Sequence, residues 1–350
     1  MADVTKINGY IIKDANAPHP SNAGSAGQVL KKTETGAEWV DASFKPEGKS
    51  YLTFSSPNSF TLKVNDTTKH WDGTLEYFAS DRTWTTWDGT TTLSSVADDG
   101  EHVLYLRGTG NTVITGNSSN YKWVLTGSDI ACIGNIENLL DYATVTAGNR
   151  PTLANSCYYS MFYGCTALTQ APSLPATTLA TNCYNSMFNG CTSLTHVPAL
   201  PATTLADYCY ANMFYGCTAL TQAPSLPATT LAYSCYYSMF QGCTGLKFSS
   251  TQTGEYTQEY RIPSSGTGTT ATGALNDMFA STGGTFTGTP EINTTYYLSS
   301  DNMIVLETEI ATLNGYVGSM IEGKVPTAIT DAKIDEICGT TILFAEDVAL

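Results

Sequence analysis

The chain has 350 residues, 42% of them apolar and only 13% charged, with 31 acidic residues against 16 basic ones for a formal net charge of −15. This length predicts two or three domains with enough apolar material for cores, and an acidic chain with no basic stripe excludes nucleic-acid binding. No run of about 18 apolar residues occurs and the first ten residues hold no signal-like apolar stretch, so neither a membrane span nor an export signal is expected.

Residues 1–47 do not read as a core-forming unit. Ala15 to Gly27 is rich in Pro, Ser, Ala, Gly and Asn, between Ile7-Asn8-Gly9-Tyr10-Ile11-Ile12 and Gln28-Val29-Leu30. An arm of this composition orders only when held by partners, which makes it the expected attachment segment.

Residues 48–128 carry short alternating runs, among them Tyr51–Phe54, Phe60–Val64, Thr74–Phe78, Val103–Leu106 and Tyr121–Leu125, separated by turn residues such as Pro57-Asn58 and Trp71-Asp72-Gly73. The spacing predicts a small β-sandwich. Trp71, Trp84 and Trp87 fit either its core or a glycan platform. Its loop carboxylates, Asp66, Asp72, Asp81, Asp88, Asp98, Asp99 and Glu101, fit solvated turns. Asp98-Asp99-Gly100-Glu101 lacks the EF-hand spacing, so no metal site is expected.

From Leu153 to Leu246 the chain repeats every 26 residues. Met161, Met187, Met213 and Met239 open MFYGC, MFNGC, MFYGC and MFQGC; Cys157, Cys183, Cys209 and Cys235 precede them by four residues, and Cys165, Cys191, Cys217 and Cys243 follow by four. A fixed period of this length predicts stacked supersecondary units. Leu179, Cys183 and Met187 at i, i+4 and i+8 predict a helix, with Thr177 and Thr178 as N-cap candidates and Gly190 as its stop. Leu194–Leu200 predicts a strand and turn. The expected fold is therefore an α/β solenoid.

Comparing the four copies separates scaffold from display. The Leu, both Cys, the Tyr after the first Cys, Met, Phe and Gly never change, whereas Asn155/Thr181/Asp207/Tyr233, Tyr159/Asn185/Ala211/Tyr237 and Tyr163/Asn189/Tyr215/Gln241 do. On the strand, Gln170, His196 and Gln222 vary. These residues, with Tyr163, Asn189 and Tyr215, are the expected binding positions. Asp207 is the one formal charge from Pro151 to Leu246, so contact should rest on hydrogen bonding and stacking. The Cys spacing matches no structural zinc site. Free thiols buried as small apolar residues are expected.

The pattern around Met161-Phe162-Tyr163-Gly164-Cys165-Thr166-Ala167-Leu168 and its three copies resembles the leucine-rich repeats of the BspA-like class, found on surface proteins of gut bacteria and on proteins of their phages. A worn last copy, Leu275-Asn276-Asp277-Met278-Phe279, follows a 13-residue insertion. Gln28-Val29-Leu30 and Gly36-Ala37-Glu38-Trp39-Val40 resemble pieces at the bases of phage fibres. The resemblance implies a virion protein similar to head or tail fibre proteins of crAss-like phages of gut Bacteroidales, assembled in the bacterial cytoplasm. It also implies a homotrimer joined to other virion proteins by its arm.

Two helical stretches, Leu306–Leu313 and Thr330–Gly339, predict a terminal cap or docking tail. The expected division is 1–47 attachment arm, 48–128 β-sandwich-like domain, 129–290 leucine-rich repeat solenoid and 291–350 cap. No HExxH, Walker loop, dinucleotide fingerprint or GxSxG turn occurs, and His19, His70, His102 and His196 lie in separate segments. We expect no enzyme activity, no cofactor and no metal, and a surface that contacts host glycans or proteins. The rival readings are a bacterial cell-surface adhesin and a glycan depolymerase, the latter requiring two carboxylates across a cleft.

Overall fold

The computed structural model describes residues 51–66, 68–266 and 273–305, together with residues 44–46 and four strands before them. Those strands are β1 (Lys6–Ile7) with β2 (Tyr10–Ile11), and β3 (Gln28–Thr33) with β4 (Gly36–Asp41), each pair antiparallel. The two fibre-like sequence pieces are therefore partners, with Leu30 opposite Trp39. The helices expected at Leu306–Leu313 and Thr330–Gly339 lie outside the described residues.

The next strands are β5 (Leu52–Ser56), β6 (Thr61–Val64), β7 (Thr74–Phe78), β8 (Trp84–Trp87), β9 (Leu93–Ser94), β10 (Val96–Asp98), β11 (Glu101–Thr109), β12 (Trp123–Thr126) and β13 (Ile130–Ile133). Helix α1 (Asn138–Thr146) and strand β14 (Leu168–Gln170) follow. One sheet runs β14-β13-β5-β11-β7-β8 with β10 also on β11, and a smaller one runs β12-β6-β9. Period-2 alternation sets their inner faces: Leu52 and Phe54 from β5, Leu62 and Val64 from β6, and Trp87 and Trp123 all join one core. The other face of the large sheet is also covered. Phe44 packs there with Tyr51, Phe78, Val103 and Tyr105, and its N–H donates to Asp98 Oδ1 at 2.7 Å. That explains why Val103 to Leu106 are buried on consecutive positions of β11.

The repeats do not form the α/β leucine-rich repeat solenoid expected from their sequence. Residues 151–246 contain no helix; the segments expected to be helical are ribbons of overlapping turns. In the first repeat Tyr159, Met161, Tyr163 and Cys165 donate their N–H to the carbonyl three residues back, while Ser156, Tyr158, Ser160, Phe162 and Gly164 donate into the next repeat, to Thr181, Cys183, Asn185, Met187 and Asn189 at 2.7–2.9 Å. Every fourth residue is left-handed: Ser156 at φ 57°, Ser160 at 52° and Gly164 at 72°. In the turn Tyr158–Met161 that residue is third, where a type II turn demands positive φ.

The physical reason is in the residue types. A left-handed residue every four positions breaks a right-handed helix, and the columns concerned hold Ser, Asn and Gly, apart from Tyr208 and Asp277. Such small polar residues are poor in helix interiors and tolerate turns. The apolar residues also recur at strictly four, at Leu153, Cys157, Met161 and Cys165. A helix of 3.6 residues per turn would rotate that row away by about 120° over the span, whereas a ribbon of period four keeps it inside.

Stacking is direct. Tyr158, Tyr184, Tyr210 and Tyr236 lie ring on ring at 5.7–5.9 Å, and Phe162, Phe188, Phe214 and Phe240 at 5.6–5.8 Å. The strand-like half adds parallel bridges at Gln170–His196 and Thr178–Thr204. Both ends of the stack are closed by imitation of a repeat. Before it, Ile114 and Trp123 donate to Cys157 and Met161, as Tyr158 and Phe162 do to the copies that follow. After it, Tyr236, Ser238, Phe240 and Gly242 donate to Ala274, Asn276, Met278 and Ala280, so the worn copy keeps register despite its insertion.

Within the repeats lie β15 (Gln222–Pro224) and β16 (Thr230–Leu231), and after them β17 (Lys247–Ser249), β18 (Tyr256–Arg261), β19 (Ser265–Gly266), β20 (Gly283–Gly284), β21 (Thr295–Ser299) and β22 (Met303–Val305) complete the described strands. Four of them form a sheet in the order β18-β21-β17-β20, whose Phe248 stacks on Phe279 at 3.9 Å. Among the described residues no helix is long and apolar enough to cross a membrane.

Candidate display surface

The ribbon puts the invariant Cys, Tyr, Met and Phe inside and brings many of the varied positions to the surface, although Asn185 and Ala211 are buried. Cys157, Tyr158, Met161, Phe162 and Cys165 and their copies are buried. Tyr163 and Tyr215 are exposed, and Asn189 between them is half-buried. The ladder makes them neighbours, since Gly164 N–H donates to the Asn189 carbonyl and Gly190 N–H to that of Tyr215, both at 2.7 Å. The adjacent glycines are needed for their backbone and not for space: Gly190 is held at a φ of 74°, while a Cβ on it would stand at an ordinary 3.6 Å from Gly164 Cα. Lys122 Nζ lies 4.8 Å from the centre of the Tyr163 ring, a cation–π contact at the first member of the row.

The strand-side candidates are brought together only in part. Gln170 and His196 are bridged in parallel, and His196 is exposed, with Nδ1 2.9 Å from Thr195 Oγ1. Gln222 lies on β15, whose parallel partner is β22. No hydrogen bond or ring contact joins Gln170 or His196 to the Tyr163 row among the described residues, so the sequence-derived positions form two surfaces.

Sequence reasoning missed the strongest departure from the pattern. In the column Ser156, Asn182, Tyr208, Ser234, only Tyr208 is bulky, and it is held at φ 55°. Its ring meets Tyr233 edge-on at 5.2 Å, and the hydrogen bond with Tyr233 pushes its phenol pKa up. Beside it Asp207 Oδ1 accepts the Tyr233 N–H at 3.2 Å. Tyr163, Tyr208, Tyr215, Tyr233 and Tyr237 are each 36–39% exposed, unusually open for tyrosines on a packed stack. The signal was present, because a tyrosine in a column of Ser and Asn is out of place.

The remaining candidates are structural. Trp71 and Trp87 are buried 5.1 Å apart, and Trp87 Nε1 donates to the Thr91 carbonyl at 2.9 Å. Trp84 lies under the Arg107 guanidinium, which is 4.1 Å from its ring and paired with Glu76 at 2.8 Å. Asp72, Asp81 and Asp88 accept from Thr112, Thr83 and Thr90. The Thr90 hydroxyl, then the amides of Thr90 and Thr91, hold Asp88 below the usual carboxylate range. For Asp72 burial acts upward, but the Thr112 hydroxyl and the amides of Thr112 and Val113 outweigh it.

All nine described cysteines are free and buried. Burial pushes the Cys165 thiol up to about 11 and Cys183 to about 12, which removes thiolate nucleophilicity near neutral pH. The second Cys of each repeat also has a bonding role: Cys191, Cys217 and Cys243 Sγ lie 3.1, 3.1 and 2.9 Å from the carbonyls of Phe162, Phe188 and Phe214. Comparison with known proteins gave no match to a family model, to a curated protein or to a solved structure.

Proposed function

We propose that the chain is a non-enzymatic structural protein of a virion, a head or tail fibre, whose repeat stack presents a neutral tyrosine- and asparagine-bearing surface to glycans or proteins of the host cell. On this reading residues 1–47 attach it to other virion proteins and three copies assemble. The observation that carries the reading is a row that varies on an otherwise fixed scaffold: the buried Cys, Tyr, Met and Phe columns are identical from repeat to repeat, while Tyr163, half-buried Asn189 and Tyr215 succeed one another on the surface near the strained Tyr208 with Tyr233. Strain at a solvent-exposed aromatic residue costs stability and persists where the surroundings hold it, a pattern concentrated at binding surfaces.

The test has two arms. The chain should be found in purified particles by mass spectrometry, and particles carrying Tyr163→Ser with Tyr215→Ser should adsorb to host cells at least several-fold less. A parallel set carrying Gln170→Ala and His196→Ala reports on the strand side. Because Asp207 is the only formal charge from Pro151 to Leu246, adsorption should change little between low and high salt. Absence from particles, or normal adsorption by both sets, would remove the reading.

A further inference from the structure

One group of departures from the repeat falls together at the junction of the third and fourth copies. Asp207-Tyr208 stands where the first two copies have Asn155-Ser156 and Thr181-Asn182, Ala211 stands where they have Tyr159 and Asn185, and the fourth copy then brings Tyr233 and Tyr237. The ladder makes these residues neighbours: Tyr208 N–H donates to the Tyr233 carbonyl at 2.9 Å, and Asn212 N–H to that of Tyr237 at 2.7 Å. Tyr233 and Tyr237 are four residues apart on a ribbon of period four, so both leave it on the same side, and they are 36% and 37% exposed. Ala211, one period before Tyr237, puts no more than a methyl group in that column.

Tyr208 and Tyr233 form a corner and not a stack, with ring planes at 75° and centroids 5.2 Å apart. A hydrogen bond between the two phenols holds that corner together. Asp207 stands beside it. Its Oδ1 accepts the Tyr233 N–H at 3.2 Å, which fixes the carboxylate at the base of that tyrosine, while Oδ2 accepts no hydrogen bond among the described residues. The Tyr233 hydrogen bond raises the Tyr208 pKa, and the Asp207 charge adds to that push, so the carboxylate is felt at the rings. Among the described residues no lysine, arginine or histidine pairs with Asp207. The corner is therefore exposed, acidic and unanswered on an otherwise neutral stack, and the backbone is strained at φ 55° to make it.

We infer that the corner of Tyr208 and Tyr233 beside Asp207 is a binding site for a quaternary ammonium group of the trimethylammonium type. The face of an aromatic ring attracts a cation lying within about 6 Å of its centre. Two rings set nearly perpendicular offer one cation two faces, and the carboxylate adds a full opposite charge. Hydration selects among cations. A primary ammonium is compact and strongly hydrated, with three N–H donors to satisfy, and one open carboxylate oxygen replaces few of its waters. A trimethylammonium group has no donor to satisfy, and its methyl groups pack on the rings. A neutral sugar would stack on one face and leave the second ring and the charge unused. The inference narrows the display reading to one junction of repeats and rests on it for the source of the ligand. With a single ion pair, the weak salt dependence expected of adsorption is kept.

The test is an amide chemical-shift titration of the full chain with choline, with its uncharged isostere 3,3-dimethylbutan-1-ol, and with methyl glucoside. Choline should move the amides of Asp207, Tyr208 and Tyr233, and the two neutral probes should not. Tyr208→Asn and Asp207→Asn restore residue types that the same columns already hold at Asn182 and Asn155, so both should fold. The first should abolish the shifts, and the second should weaken choline affinity roughly two- to fivefold, the range of an exposed ion pair. Displacement of choline by phosphocholine, or by a peptide bearing trimethyllysine, tells a head-group source from a protein source. No movement with choline, equal movement with either neutral probe, full binding by Tyr208→Asn, or failure of both competitors would overturn the site. Absence of choline binding while the Tyr163→Ser, Tyr215→Ser particles lose adsorption would overturn this inference and leave the display reading standing. Choline binding with undiminished adsorption of Tyr208→Asn particles would support the site and count against host contact at this junction.

Discussion

At the scale of single residues, the second cysteine of the repeat shows how an apolar-looking position carries a bond. Read as a small buried hydrophobe, Cys191 predicts that Ser would leave a hydroxyl without a partner. The Phe162 carbonyl at 3.1 Å supplies one. Cys191→Ser should therefore cost only about 1 kcal/mol, whereas Cys191→Val loses the donor and forces a branched side chain between tightly stacked repeats, for about 1–3 kcal/mol. Equal losses in urea denaturation would show that the sulfur–carbonyl contact is incidental. Tyr208 behaves in the opposite sense. Tyr208→Asn relieves a bulky residue at φ 55° and should stabilise the chain by about 1 kcal/mol, while reducing adsorption if the tyrosine is held there for contact. Asp72 and Asp88 have folded-state pKa values below their unfolded ones. Their contribution is complete above the ordinary carboxylate range and is lost as pH falls through the folded values. Asp72→Asn should therefore flatten the acid limb of the melting-temperature profile; an unchanged limb would rule Asp72 out as its source.

At the scale of elements, the decisive question is helix against ribbon. The invariant face, its boundaries and the varied rows were legible from comparison of the four copies, and Tyr163, Asn189 and Tyr215 do lie side by side. The ribbon was not legible, because i, i+4, i+8 fits a helical stripe over three positions as well as it fits a period of four, and only the absence of any step of three separates them. The Ser and Asn columns were a second signal, hidden because Ser156 and Ser160 look like ordinary exposed positions. Tyr158 and Phe162 were legible as buried, but not as continuous ring ladders, which require each copy to lie directly on the last. At element scale, Ser186→Gly should stabilise by about 1 kcal/mol, since φ 55° strains a residue bearing a Cβ. In a helix interior the same change would cost roughly 0.5–1 kcal/mol, so the sign of the effect, measured by chemical denaturation, separates the two conformations.

At the scale of the whole molecule, the β-rich region and the repeats share one sheet and one core. Strand β13 pairs with β5 on one side and with β14 on the other, and the core runs from Leu52 to Leu298. Trp123 joins them directly, because it packs on Phe162 at 6.2 Å and its carbonyl lies 3.4 Å from Cys165 Sγ. Trp123→Ala should therefore lower the stability of the repeats and of residues 51–126 together, by about 3–5 kcal/mol; hydrogen exchange showing loss of protection in only one of them would count against a shared core.

The display reading depends on Tyr163, Asn189 and Tyr215 being neighbours across repeats, and only the inter-repeat ladder makes them so. Scalar couplings across hydrogen bonds, recorded by NMR on deuterated protein, test that ladder directly. The account predicts couplings from the Tyr184 and Phe188 amides to the carbonyls of Cys209 and Met213, one repeat ahead. Couplings from those same amides to the carbonyls four residues back, Ala180 and Tyr184, would mean a helix and would contradict the ribbon and the surface built on it.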